Sequence, residues 1–170
     1  KYFPAAKKIG TLYAPGEINS VLYKEKLEAV ARAAGISVEA VAVSAPTETA
    51  DAAAALIGKR IDILCQISDN LTDAGFSGIV QAGRAAKVPV FSFIGTKVES
   101  GGAAVAVARD YVQVGRDMAA LVRRIVNGEK VSEIPFRNAS KTETVVNVSN
   151  AESFGLRLPD DLVNSADRKY

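Results

Sequence analysis

Short β-branched runs alternate with longer alanine-rich stretches along this chain. Residues 8–13, 36–43, 61–67 and 88–93 read as strands. Between them, residues 20–34, 47–57 and 71–86 carry apolar positions at helical spacing. In the first of these, Leu27, Val30, Ala31 and Ala34 share one stripe, and Gly35 stops it. Gly58 ends the second helix in the same way. This alternation predicts βαβ units, hence an α/β fold built on a doubly wound, flavodoxin-like parallel sheet. The third run is apolar almost throughout, as expected of a strand covered on both faces.

The rhythm changes after residue 93. A glycine-containing loop over 94–102 leads into a short apolar run at 103–108. Residues 111–126 then form a strong amphipathic helix, with Val114, Met118, Leu121, Val122 and Ile125 on one side and Asn127-Gly128 as its stop. A further strand is expected at 143–148, followed by a short helical turn around 151–154. Pro159-Asp160-Asp161-Leu162 reads as a capped helix start.

Composition narrows the chemistry. The 170 residues are 48% hydrophobic and 24% charged, enough for one full core and at most part of a second domain. A net charge of +2 gives no electrostatic reason to expect nucleic-acid binding. There is no histidine, which excludes Ser-His-Asp and Cys-His machinery and most zinc or iron sites. The single cysteine, Cys65, excludes an internal disulfide and CxxC motifs; within the 61–67 strand it reads as an inert core thiol. No cofactor, metal site or enzymatic activity is expected. Lys1-Tyr2-Phe3-Pro4 is neither an initiator nor a signal sequence and reads as the middle of a longer protein.

In an open parallel sheet, ligands bind beyond the carboxyl ends of the strands, near the point where strand order reverses. The polar residues there are Glu17, Asn19 and Ser20 after the first strand and Ser68, Asp69 and Asn70 after the third. The fourth contributes Thr96, Lys97, Glu99 and Ser100, with Ser92 at its end. Helix N-termini at Ser20 and Asn70 would add backbone N–H groups suited to a carboxylate. The same residue types are ordinary helix caps, so each also has a purely structural reading. Gly95 and Gly101-Gly102 match neither a P-loop nor GxGxxG, and Gly75-Phe76-Ser77-Gly78 lacks the spacing of a nucleophile elbow.

Several segments in order carry a family likeness. They are Ala6-Lys7-Lys8-Ile9-Gly10-Thr11-Leu12-Tyr13 with Glu17-Ile18-Asn19-Ser20, then Ser68-Asp69-Asn70 and Lys87-Val88-Pro89-Val90-Phe91. Asp110-Tyr111-Val112-Gln113-Val114-Gly115-Arg116, Asn127-Gly128-Glu129-Lys130 with Ile134-Pro135, and Gly155-Leu156-Arg157-Leu158-Pro159 follow. Together they resemble the carboxyl-terminal portion of ABC-transporter substrate-binding proteins of the type I periplasmic-binding-protein fold, in the tryptophan- and tyrosine-associated subgroup. The likeness covers nearly the whole chain. Phe93-Ile94-Gly95-Thr96-Lys97 departs from it in lacking acidic residues.

The resemblance implies two lobes closing on a small molecule: an amino acid by expectation, an aromatic one as the narrower option. Residues 1–108 would be the ligand-binding second lobe. Residues 109–137 would be a crossover helix belonging to a first lobe of about 120 preceding residues, and 138–170 the return strand and C-terminal segment. It implies that Asp69 pairs with the ligand's ammonium group, while Asn19, Ser20 and nearby helix N–H groups hold its carboxylate. Asn70 and Ser92 would add hydrogen bonds, and Asp110 would sit at the crossover. The implied partner is the membrane permease of an importer, the compartment the periplasm or outer cell surface. On its own, the chain is expected to self-associate through residues 111–126. The alternative reading is the effector domain of a transcription regulator with the same fold.

Overall fold

The computed structural model describes residues 2–170. Strand β1 (Lys8–Tyr13) lies second from one edge of the sheet, with β2 (Ser37–Ala42) outside it at that edge and β3 (Ile63–Gln66) on its inner side. Beyond β3 come β4 (Val90–Ser92), β5 (Val105–Arg109), β6 (Thr142–Val146) and β7 (Arg168–Lys169), giving the order β2-β1-β3-β4-β5-β6-β7. The chain steps from β1 to β2 in one direction and from β2 to β3 in the other. Right-handed crossovers therefore put α1 (Ile18–Ala33) and α2 (Thr49–Gly58) on opposite faces. That reversal beside β1 is the switch point of a doubly wound sheet.

The parallel expectation holds from β1 to β5. Strand β6 runs antiparallel to β5, pairing Arg109 with Thr142 and Val105 with Val146. The intervening segment holds α6 (Tyr111–Val126) and brings the chain back at the end where β5 stopped. The 103–108 run is thus a strand, buried at Val105, Ala106 and Ala108.

The single helix expected over 71–86 is two: α3 (Asn70–Ala74) and α4 (Phe76–Ala86), parted at Gly75. The start of α2 causes the break. Thr49 Oγ1 donates to the Gly75 carbonyl at 2.8 Å, and a Cβ on Gly75 would lie 2.5 Å from the Thr49 side chain. Only a glycine allows that approach. A 3₁₀ turn, Pro46–Glu48, precedes α2, and the loop after β4 contains one helical turn, α5 (Thr96–Glu99). Helices α7 (Val148–Ser153) and α8 (Asp160–Ser165) close the chain.

Leu12, Leu56, Leu64, Ile79, Val90, Val145, Val146 and Phe154 form the buried core between sheet and helices. Helix α6 stands apart from it. Its bounds match the sequence expectation, but none of its residues is buried, and Met118 and Val122 are more than half exposed. No helix among the described residues is long and apolar enough to cross a membrane.

Candidate functional site

The loop after β1 turns into α1, which begins at Ile18 with Glu17 as its first flanking residue. Ser20 therefore lies inside the helix and does not cap it. Its hydroxyl is fully buried, accepts from the Ala14 N–H at 2.9 Å and donates to Asp69 Oδ2 at 2.7 Å. Asp69 caps α3 after β3: Oδ1 accepts from the Thr72 N–H and from Thr72 Oγ1, each at 2.7 Å. With 5% of its surface exposed, Asp69 spends both carboxylate oxygens on the scaffold.

The amino end of α3 is occupied as well. Glu17 Oε2 accepts from the Asn70 N–H at 2.9 Å and from Asn70 Nδ2 at 3.0 Å, while Oε1 accepts from the Leu71 N–H at 2.9 Å. These donors, the Asn70 N–H first, hold the Glu17 carboxyl below its ordinary range. The N–H groups expected to meet a ligand carboxylate at Asn70 already meet one from the β1–α1 loop. Asn19 is exposed and donates from Nδ2 to the Ser68 carbonyl at 3.1 Å, tying the same loop to the end of β3.

Ser92 is buried at the end of β4, donating to Gln66 Oε1 at 2.8 Å and accepting from the Ile94 N–H at 3.0 Å. Asp110 follows β5 and caps α6: Oδ1 accepts from the Gln113 N–H at 3.0 Å and Oδ2 takes Lys141 Nζ at 3.2 Å. The Gln113 N–H first, and the Lys141 cation after it, hold the Asp110 carboxyl low. The six residues singled out from sequence thus all lie at the carboxyl edge of the sheet. Their side chains bind one another, Glu17, Gln66, Lys141 and the loops. Cys65, in β3, has its thiol pushed by burial up to about 12, so it stays protonated at neutral pH.

Open space lies beside this network. A groove of about 350 Å³ runs along the same edge, from α1 across the ends of β3, β4 and β5. Tyr23, Lys26, Leu27 and Val30 line it from α1, where spacings of three and four place them on one helix face. Ile67 and Ser68 enter from the end of β3, and Phe93 and Ile94 from the end of β4. Val107 and Arg109 come from β5, with Tyr111 and Thr142 at the exit. Phe93, Val107 and Tyr111 are strongly exposed although apolar or aromatic, as a surface awaiting a partner would be. Arg109 Nη2 donates to Tyr23 Oη at 3.1 Å, and that hydroxyl is the main reason the guanidinium pKa is raised. No acidic residue lines the groove.

Sequence reasoning reached the edge but not these groups, apart from Ser68. Tyr23 and Arg109 are 86 positions apart, and only the strand order brings them together. In sequence, Leu27 and Val30 stand only as part of an apolar stripe with Ala31 and Ala34; the structure puts both, with Tyr23, in the groove wall. Lys97, in the loop lacking acidic residues, turns elsewhere: it pairs with Asp73 at 2.7 Å and lies over the Phe76 ring. No group of three or more potential metal ligands occurs among the described residues.

Comparison with known proteins agrees with the fold. The family described as ABC transporter substrate binding protein matches residues 1–170. A tyrosine-binding protein from Clostridioides difficile (strain R20291) is 27% identical over 154 residues, covering 91% of this chain and 44% of that protein. A conserved domain protein from Vibrio cholerae superposes with a TM-score of 0.86 at 28% identity, over 99% of this chain and 56% of its own. The ABC domain from Streptococcus pneumoniae, solved in complex with L-Trp, gives 0.81 at 26% identity, over 98% of this chain and 57% of its own. This chain therefore spans about half the length of the relatives it matches.

Proposed function

The chain belongs to the ABC transporter substrate-binding protein family, and from that premise we propose that it captures an aromatic amino acid in the groove at the carboxyl ends of β3, β4 and β5. The groove itself carries the reading. It lies beside the switch point of the sheet, where ligands of such folds bind. Its volume falls within the roughly 300–1,000 Å³ of small-molecule pockets, with apolar walls and few polar groups, as such sites have. Phe93, Tyr23 and Tyr111 offer ring faces for an aromatic side chain. The relatives that bind tyrosine and tryptophan at 27% and 26% identity support the same ligand class.

In this reading residues 1–109, to the end of β5, form one lobe, one residue beyond the boundary expected from sequence, and the groove is half of a cleft that closes against a second. The exposed apolar side of α6 supports a seat for the crossover segment from α6 to residue 137 on that second lobe, with 138–170 returning to the sheet through β6. The closed form would be what a membrane permease of an ABC importer recognises, outside the cytoplasmic membrane. The ligand leaves as it came, because capture and release need no bond-making group. Asp69, Ser20, Asn19, Asn70, Ser92 and Asp110 build the rigid edge behind the groove, and Ser68 faces the ligand.

The test is calorimetry on the full gene product containing these residues, with the aromatic amino acids, leucine, glutamate and arabinose as probes. Saturable binding of tryptophan or tyrosine at least tenfold tighter than of the other three supports the assignment. Preference for arabinose or glutamate removes it.

A further inference from the structure

We propose that Arg109, steadied by Tyr23, takes the ligand's carboxylate, so that this lobe selects for an aromatic carboxylate and leaves the ammonium group to the facing lobe. The inference rests on the function proposed above and specifies how the groove divides the ligand.

Arg109 and Lys26 are the cations in the groove wall, and neither belongs to any of the ion pairs formed among the described residues. Arg168, by contrast, is held by Glu99 at 2.7 Å and Glu143 at 3.3 Å. The acid next in sequence does not neutralise Arg109 either, because Asp110 is committed to the Gln113 N–H and Lys141. A guanidinium has five N–H donors in a fixed fork. The Tyr23 hydroxyl engages Nη2 and Tyr111 adds a lesser contact to the same guanidinium, but no carboxylate pairs with the fork among the described residues. A carboxylate accepts two parallel N–H bonds from such a fork.

The surroundings strengthen the pairing. Ile67, Phe93 and Val107 make the adjoining wall apolar, which lowers the local dielectric and raises the value of a charge pair once a ligand displaces water. The ammonium group finds no counterpart here. The groove wall has no aspartate or glutamate, and Asp69, the acid at this edge expected to meet an ammonium, has both oxygens bonded within the protein. A zwitterionic ligand is thus read at its carboxylate and ring from this side alone.

Three probes separate these features: L-tryptophan, tryptamine without the carboxylate, and indole-3-propionate without the ammonium. Each is titrated into the full gene product, wild type and Arg109→Gln, with circular dichroism and thermal midpoint as folding controls. The expected result is that Arg109→Gln weakens tryptophan and indole-3-propionate at least tenfold and tryptamine less than threefold. Arg109→Lys should recover part of the loss, since it restores charge without the fork. Tyr23→Phe should weaken both carboxylates a few-fold. An equal effect of Arg109→Gln on all three probes, or none, overturns the assignment of Arg109 while leaving the groove as the site. Failure of the wild type to bind any probe overturns the functional reading, and this inference with it.

Discussion

Asp69 shows how far residue types could be trusted. An acid just past a central strand is a reasonable ligand anchor, and also an ordinary helix cap. Position along the chain distinguishes the two poorly, because it does not say which donors reach the oxygens first. In the structure the Thr72 N–H, Thr72 Oγ1 and Ser20 Oγ reach them. Asp69→Ala would leave those buried donors unpaired, a loss on the order of 1–3 kcal/mol. Urea unfolding should show a clearly lowered midpoint, while calorimetry on the folded protein gives a ligand affinity within twofold of wild type. Unchanged stability with lost affinity would instead make Asp69 an anchor for the ligand. Arg109 was illegible for the opposite reason. Nothing near it in sequence marks it, and its partner Tyr23 lies on the far side of three intervening strands in chain order.

Among the elements, those with a long regular period were read best. The bounds of α6 and β1 follow directly from their apolar spacing. The break at Gly75 was invisible because it comes from α2, a segment distant in sequence that packs onto that glycine. A similar contact supports a prediction at Gly83, where α4 meets β4 and α7. A Cβ there would lie 2.7 Å from the Val88 carbonyl oxygen, 2.9 Å from Val90 Cγ2 and 3.2 Å from the Phe154 ring. Gly83→Ala gains about 1 kcal/mol in helix propensity. It loses typically 1–3 kcal/mol to overpacking, more where backbone must move. The net expectation is a lower urea midpoint; a raised one would mean that α4 shifts freely.

The strap from Glu17 to α3 has a pH signature. Its carboxyl pKa is lowered by folding, so its contribution is fully present above the unfolded value of about 4.3 and is lost as pH falls through the lower folded value. Glu17→Gln should therefore lower the thermal midpoint at pH 7, and the gap to wild type should narrow as pH falls below the ordinary carboxylate range and close once the folded carboxyl is protonated. A gap that persists there would show that the strap does not depend on charge.

For the whole molecule, the alternation of strands and helices was enough to give the doubly wound sheet, while the antiparallel β6 depended on where the chain returns after α6. That helix leaves Met118, Val122 and Ile125 more than 40% exposed. Burying such a side chain contributes roughly 1.5–3 kcal/mol, so the 170-residue chain alone should self-associate in sedimentation and Val122→Asp should shift it toward monomer. If the proposed second lobe covers α6, the full gene product should be monomeric under the same conditions. A monomeric 170-residue chain would remove α6 as an interlobe surface. Where the ligand sits is decided most directly by a crystal structure of the full gene product soaked with L-tryptophan. The expected result is the indole ring in the groove against Phe93, beside Ser68 and at the carboxyl ends of β3, β4 and β5. An indole ring bound elsewhere, with the groove filled only by solvent, would contradict it.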